Sequence, residues 1–277
     1  MTMTWSPGDV PPPVRVTPVG WLRVAVRGAL LIAILLVGVT AMALVRLIER
    51  PLYGMHRPVT PYITQGVCHA AYVVLGIGFS RVGTPMTAPG AVVSNHVSWL
   101  DIFTLNLSKR VYFVSKSEVA RWPGIGLLAR ITGTVFIARD PRQARAQTEV
   151  FEDRLLAGHK LLFFPEGTST DGMRVLPFKT TLFQAFFSPR LHHALQVQPV
   201  SLIYTAPVGQ DARFYGWWGD MSFGGHLLKT LAVARQGAVQ VVYHAPVRVE
   251  DFADRKALAA HVEAVVRAGM PEDRRGM

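Results

Sequence analysis

From Gly28 to Val45 the chain carries 18 residues without a charge, bounded by Arg27 and Arg46, and Thr40 is the only clearly polar one among them. As a helix this run is roughly 27 Å long, close to the roughly 30 Å of a bilayer's hydrocarbon core. Ten of its residues are Leu, Ile or Val, worth about −3 to −6 kcal/mol on an insertion scale before Gly and Thr reduce the total. The segment therefore predicts membrane association. Its length is marginal for full spanning. A buried helix of a soluble protein passes the same test. A cleaved signal peptide fits less well, because the run starts late, is long and lacks a small-residue cleavage site after it. Arginines flank both ends (Arg23 and Arg27, then Arg46 and Arg50), so charge asymmetry sets no orientation.

The rest of the chain organises around that segment. Residues 1–20, with Pro7, Pro11, Pro12, Pro13 and Pro18, predict a disordered or extended tail. The apolar helix is expected from about Trp21 to Glu49. Pro51, Pro58 and Pro61 then break the chain before a second apolar stretch, Ile63 to Phe79. Two apolar helices joined by a proline-rich turn make residues 21–80 a membrane anchor that can lie on one leaflet. From Gly83 onward, short β-type runs alternate with helical ones. Strands are predicted at Ala91–Ser94, Val111–Ser115, Thr134–Ala138, Lys160–Phe164, Gln196–Ile203 and Val239–Tyr243. Helices are predicted at Pro123–Arg130, Pro141–Ala157, Thr181–Phe187 and Leu258–Ala268. Such alternation implies an α/β domain over residues 81–270, with a mostly parallel central sheet flanked by helices. Residues 271–277 are expected to fray.

Composition narrows the chemistry. The 277 residues suffice for one well-filled domain plus the appendage. A single cysteine, Cys68, excludes an intramolecular disulfide, and its apolar setting suits packing better than nucleophilic work. Twenty-nine Lys and Arg against 18 Asp and Glu leave a formal charge of +11. That field attracts anionic headgroups, acidic proteins or nucleic acid. The basic residues are scattered rather than interleaved with stacking aromatics, so no nucleic-acid partner is expected. Gly124-Ile125-Gly126-Leu127-Leu128-Ala129 matches a dinucleotide pattern but follows Trp122-Pro123 instead of a strand. No serine elbow, zinc-spaced histidine pair or phosphate-binding glycine loop occurs, so neither a metal nor a resident cofactor is expected.

Asn95-His96-Val97-Ser98-Trp99-Leu100-Asp101 directly follows the apolar run Ala91-Val92-Val93. On one continuous helix, residues five apart lie roughly 140° apart around the axis. His96 and Asp101 can meet if a strand ends at His96 and a helix begins near Ser98, with the aspartate in its first turns, where negative charge is favoured. The carboxylate can then accept a proton on one imidazole nitrogen and leave the other to take a proton from a substrate. Alone, the pair reads more readily as a capped helix start with a structural histidine. Three further blocks accompany it. Gly133-Thr134-Val135-Phe136-Ile137-Ala138-Arg139 delivers an arginine at a strand end. Phe163-Phe164-Pro165-Glu166-Gly167-Thr168-Ser169-Thr170 ends a strand in a polar loop, and Gln198-Pro199-Val200 opens another buried-type run.

In this order, the four blocks, spanning about Val92 to Ser201, resemble those of the glycerolipid acyltransferases typified by 1-acylglycerol-3-phosphate acyltransferases. The resemblance implies transfer of a fatty acyl group from a thioester, on acyl carrier protein or coenzyme A, to a lysolipid hydroxyl. It implies that His96 is the base and Asp101 its orienter, and that Glu166, Gly167 and Thr168 shape the acceptor side. Arg139 and Lys116 would meet an anionic headgroup, and Pro199 would lie near the acyl pocket. It further implies a cell-membrane enzyme with its site on the cytoplasmic face. Where phosphatidate-forming members usually carry an arginine after Glu-Gly-Thr, this chain has Ser169. The longer string Phe164 to Gly172, followed by Arg174-Val175-Leu176-Pro177-Phe178-Lys179, is similar to bacterial lyso-ornithine lipid acyltransferases. Their acceptor offers an amine and a carboxylate in place of the phosphate. Asp171 would suit the amine, and Arg139 or Arg174 the carboxylate. Lysophosphatidate remains the alternative acceptor.

Overall fold

The computed structural model describes residues 5, 6, 8, 11, 15–137 and 144–275. Helix α1 (Pro18–Tyr53) starts on a Thr17 cap, whose hydroxyl accepts the Gly20 N–H, with Pro18 in the first turn where its missing N–H costs nothing. Pro51 does not end it, contrary to expectation. It sits in the last turn, where only one helical bond is lost. Helix α2 (Thr60–Leu75) runs back along α1. Its first turn has no cap of its own, and Glu49 of α1 supplies one, accepting the Val59 and Thr60 N–H groups at 2.8 and 3.1 Å. Gly38 lets the helices close, because a Cβ there would lie 2.3 Å from Val67.

The sheet comprises β1 (Gly78–Val82), β2 (Gly90–Ser94), β3 (Tyr112–Lys116), β4 (Val135–Ile137), β5 (Leu161–Phe163), β6 (Gln196–Thr205), β7 (Ala238–Tyr243) and β8 (Val247–Arg248). Its order is β1-β7-β6-β2-β5-β3-β4, with β8 also on β6. Strands β6, β2, β5, β3 and β4 run parallel, and β7 and β1 run against them. Helices α3 (Asp101–Ser108), α4 (Ile125–Thr132), α5 (Ala144–Leu156), α6 (Phe223–Ala232) and α7 (Arg255–Ala268) complete the fold. The expected mostly parallel α/β sheet with an apolar N-terminal helix is therefore present.

Strand alternation splits the core in two. Val92, Leu162, Val200 and Leu202 join Tyr72, Leu75, Leu105 and Leu231 on the face under α2, α3 and α6. Ala91, Val93, Leu161, Phe163 and Val197 face the other way, onto Phe183, Phe186, Leu258 and Val262. Because β2 is paired on both sides and covered on both faces, all five of its residues are buried. Gly90 opens β2 at φ 150°, where a Cβ would sit 1.9 Å from the Gln196 carbonyl oxygen.

Several boundaries differ from the sequence reading. Phe79 belongs to β1, not to the second helix, because Gly76 ends α2 in a left-handed cap. The α/β domain thus begins before residue 81. Thr180–Phe187 is a 3₁₀ segment, and α6 was not foreseen. Residues 271–275, expected to fray, form a 3₁₀ turn around Glu272–Arg274, and Arg274 Nη1 donates to the Tyr204 carbonyl at 2.9 Å. Within the expected disordered tail, Trp5 packs against Trp218 at 6.3 Å between ring centroids.

Candidate active site

Register brings two loops together. Val93 of β2 lies opposite Phe163 of the parallel β5, so His96 and Glu166, each three residues on, leave the sheet at the same level. Glu166 Oε1 accepts the His96 backbone N–H at 2.6 Å, and Oε2 accepts that of Leu176 at 2.7 Å. On the other side of β2, Asn95 exchanges two hydrogen bonds with the main chain of Leu202, at 3.0 and 2.8 Å. The carbonyl of His96 takes the Thr170 N–H, and that of Val97 takes the Trp217 N–H. His96 is thus held by its own backbone on several sides.

His96 Nδ1 lies 2.7 Å from Asp101 Oδ2, and the same oxygen accepts the N–H groups of Val97 and Ser98 at 2.7 and 3.1 Å. Asp101 is the first residue of α3 and fully buried, as the strand-to-helix reading required. The imidazole stacks on Phe164, with centroids 4.0 Å apart and planes 9° from parallel. Its side chain is 21% exposed. With Nδ1 committed to the carboxylate, Nε2 is the nitrogen available to a ligand.

The other predicted residues fall into distinct places. Glu166 is buried, and burial pushes its carboxyl up to about 8 against the opposing pull of its two backbone N–H partners. It braces the histidine loop and presents no free carboxylate. Gly167 turns the chain at φ 73° beside the Lys179 ammonium, and Thr168 Oγ1 donates to the Ser169 carbonyl at 3.3 Å. Ser169 Oγ donates to the Trp217 carbonyl, so this position carries a buried tie between loops. Asp171 is also buried, and it pairs with Arg174 at 3.2 Å.

Lys116 ends β3 opposite Ile137 of β4. Arg139 lies outside the described residues. Pro199 pairs with Val93 inside β6 instead of starting or edging the strand. Its carbonyl accepts the His244 N–H, while the His244 carbonyl, which has no N–H to meet on Pro199, takes Gln198 Nε2 at 2.9 Å. The neighbouring side-chain amide thus substitutes for the missing donor.

Sequence reasoning missed the wall formed by Gly216, Trp217 and His226. Trp99 Nε1 donates to His226 Nδ1 at 2.9 Å, and His226 Nε2 donates to the Gly216 carbonyl at 2.9 Å. Burial drives the His226 imidazole down to about 3, so it stays neutral and can serve both partners. These residues lie more than 100 positions from the motif and share no spacing with it, so no local signal could have found them. No group of three or more potential metal ligands occurs among the described residues.

The family model described as Acyltransferase matches residues 82–203. The chain is 60% identical to the lyso-ornithine lipid O-acyltransferase of Rhodobacter capsulatus over 264 residues, covering 95% of this chain and 96% of that protein. It is 30% identical to the 1-acyl-sn-glycerol-3-phosphate acyltransferase of Neisseria gonorrhoeae over 207 residues, 73% of this chain and 78% of that one. The crystal structure of the 1-acyl-sn-glycerophosphate acyltransferase from Thermotoga maritima superimposes with a TM-score of 0.62 at 22% identity, covering 90% and 95% of the two chains.

Proposed function

The chain belongs to the acyltransferase family, and from that premise we propose that it is a membrane-bound O-acyltransferase that acylates the hydroxyl of lyso-ornithine lipid. The observation that carries the acceptor is the 60% identity, nearly end to end, to a protein of that activity. Ser169 agrees with it. A buried serine tied to Trp217 stands where a guanidinium would serve a dianionic phosphate, and the partly exposed Arg174, held by the buried Asp171, leaves a cation for a headgroup carboxylate. The Neisseria relative supports lysophosphatidate as the second reading.

In the proposed reaction, His96 Nε2 takes the proton of the acceptor hydroxyl as its oxygen attacks the thioester carbonyl. Asp101 stabilises the imidazolium that forms. The tetrahedral intermediate then collapses, the carbon–sulfur bond breaks, and the imidazolium returns its proton to the departing thiolate. The products are an ester and a free thiol, and no acyl-enzyme is needed. With acyl carrier protein or coenzyme A thioester as the proposed donor, the site would face the cytoplasm, where such thioesters are made.

The anchor reading follows from contacts at both ends of α1. Arg27 donates to the carbonyls of Leu231 and Val233 at 2.9 and 2.6 Å, and beyond the other end Arg57 donates to that of Ile131 at 2.9 Å. Ties to the domain near both ends favour a helix lying in the membrane surface over one that leaves through it. Its outer face, including Leu22, Leu36 and Leu47, is more than half exposed.

Purified protein offered lyso-ornithine lipid and lysophosphatidate side by side, with labelled acyl donor, tests the assignment. Preferential acylation of lyso-ornithine lipid is expected. Product from lysophosphatidate alone would overturn the acceptor, and fatty acid release without either acceptor would indicate a thioesterase.

A further inference from the structure

A cleft of about 450 Å³ opens where α1 turns into α2, lined by Arg57, Lys109, Arg110, Lys160, His56 and His159 among others, and no acidic residue among the described ones lines it. Lys109 and Arg110 precede β3 and Lys160 precedes β5, so the cleft lies at the amino ends of these parallel strands. His96 and Glu166 lie beyond the carboxyl ends. Lys160 and Glu166 are six residues apart across β5, about 20 Å of extended chain. The cleft is therefore separate from the proposed catalytic centre.

Among the described residues its cations have no carboxylate hydrogen-bonded to them. Arg57 donates to a main-chain carbonyl, Lys160 to that of Thr87 at 3.0 Å and Arg110 to the Gln65 amide oxygen at 3.2 Å. Glu49, the acid that acts on Arg57, is engaged by Arg46, Val59 and Thr60. Tyr112 forms an aromatic floor, with Arg57 over its ring at 6.0 Å and His159 tilted against it at 4.4 Å. Burial lowers the pKa of both Lys109 and Lys160, helped by Arg110 beside the first and by Lys109 beside the second. Charges gathered this way without compensation gain most from a bound anion. At the rim, Leu52, Tyr53, Met55 and Val59 expose apolar surface on the α1–α2 turn. Cationic pocket and apolar rim together match an amphiphile better than a soluble ion.

We propose that this cleft binds the phosphate-bearing headgroup of an anionic bilayer lipid, fixing how the anchor sits on the membrane. The inference builds on the membrane-surface reading of α1 but not on the acceptor assigned above. The full-length protein is tested for sedimentation with phosphatidylcholine vesicles, with or without phosphatidylglycerol, and by titration with inorganic phosphate. Lys109→Ala/Lys160→Ala should bind the phosphatidylglycerol vesicles roughly thirtyfold more weakly, five- to sixfold per ammonium. Lys109→Met/Lys160→Met, which keeps the apolar stems, should fall equally. Binding to phosphatidylcholine and acyl transfer in detergent should be unchanged. Arg235→Ala/Lys256→Ala removes the same charge from exposed positions elsewhere and should lose much less. Equal losses in the two charge-matched pairs would reduce the effect to the general field and overturn the proposal. So would saturable phosphate binding with vesicle affinity indifferent to the pocket substitutions. Vesicle binding needs no turnover, so failure of the acceptor assignment would leave this result readable.

Discussion

Glu166 holds the main chain of His96, not its ring: the carboxyl accepts the His96 backbone N–H at 2.6 Å and spends its other oxygen on Leu176. The polar loop after β5 thus sets the position of the candidate base from behind. A buried carboxyl in this role has consequences for stability that a substrate-facing one would not.

The first concerns pH. Burial raises the Glu166 carboxyl from 4.5 to about 8, so the folded state favours its protonated form. Its contribution to stability is complete below the unfolded value and is lost as pH rises through the folded one. Between about pH 5 and pH 9, the stability advantage of wild type over Glu166→Gln should shrink. The variant should also lose about 1–3 kcal/mol for the backbone N–H its amide nitrogen cannot satisfy. Denaturant midpoints of both proteins across that range test this, and a constant difference would refute it.

Replacing His96 by Ala should cut acyl transfer by about 10² to 10⁴. Because the backbone ties of residue 96 remain, thermal unfolding and membrane binding should stay close to wild type. A fully active variant would remove the general-base mechanism.

Asp101→Asn separates orientation from capping. Asp101 Oδ2 alone serves His96 and two backbone N–H groups, so an amide oxygen can take its place, but without the negative charge that strengthens those bonds and stabilises the imidazolium. Turnover should fall by about 10² to 10⁴, with KM little changed and stability lowered by about 1–3 kcal/mol. Lost stability with intact turnover would assign Asp101 to the helix start alone.

The anchor has two faces that should respond differently. Leu36→Asp/Leu47→Asp changes exposed positions and should weaken vesicle binding while leaving thermal unfolding nearly unchanged. Met42→Asp places a charge where the side chain is only 4% exposed, and should unfold the hairpin before any vesicle is added.

Ser169→Arg tests the acceptor side. The serine is buried against the Trp217 carbonyl, so an arginine must displace that loop to reach a ligand. Loss of stability and lower transfer to both acceptors are expected. Gained activity on lysophosphatidate would show that the position is open to the headgroup.

Much of this molecule is written locally. The uncharged run from Gly28 to Val45, the short buried strands and the His96–Asp101 spacing each carry their meaning within a few residues, because helix and strand periods and end effects are short-range. The helix Phe223–Ala232 was not legible, since burial against a distant helix decides it, whereas the boundary at Phe79 is set by the local Gly76 cap, a signal the apolar run through Phe79 masked.

By itself, the sequence determined the fold class, the apolar N-terminal helix and the residue types able to form a base with its orienter. Only the tertiary structure decided that Glu166 braces the histidine, that Ser169 is tied to Trp217 and that a basic cleft forms at the far end of the sheet. Each of those depends on strand register and on loops brought together from widely separated positions. A pattern read along the chain holds information about neighbours in sequence, whereas these contacts exist only once the sheet has set its order.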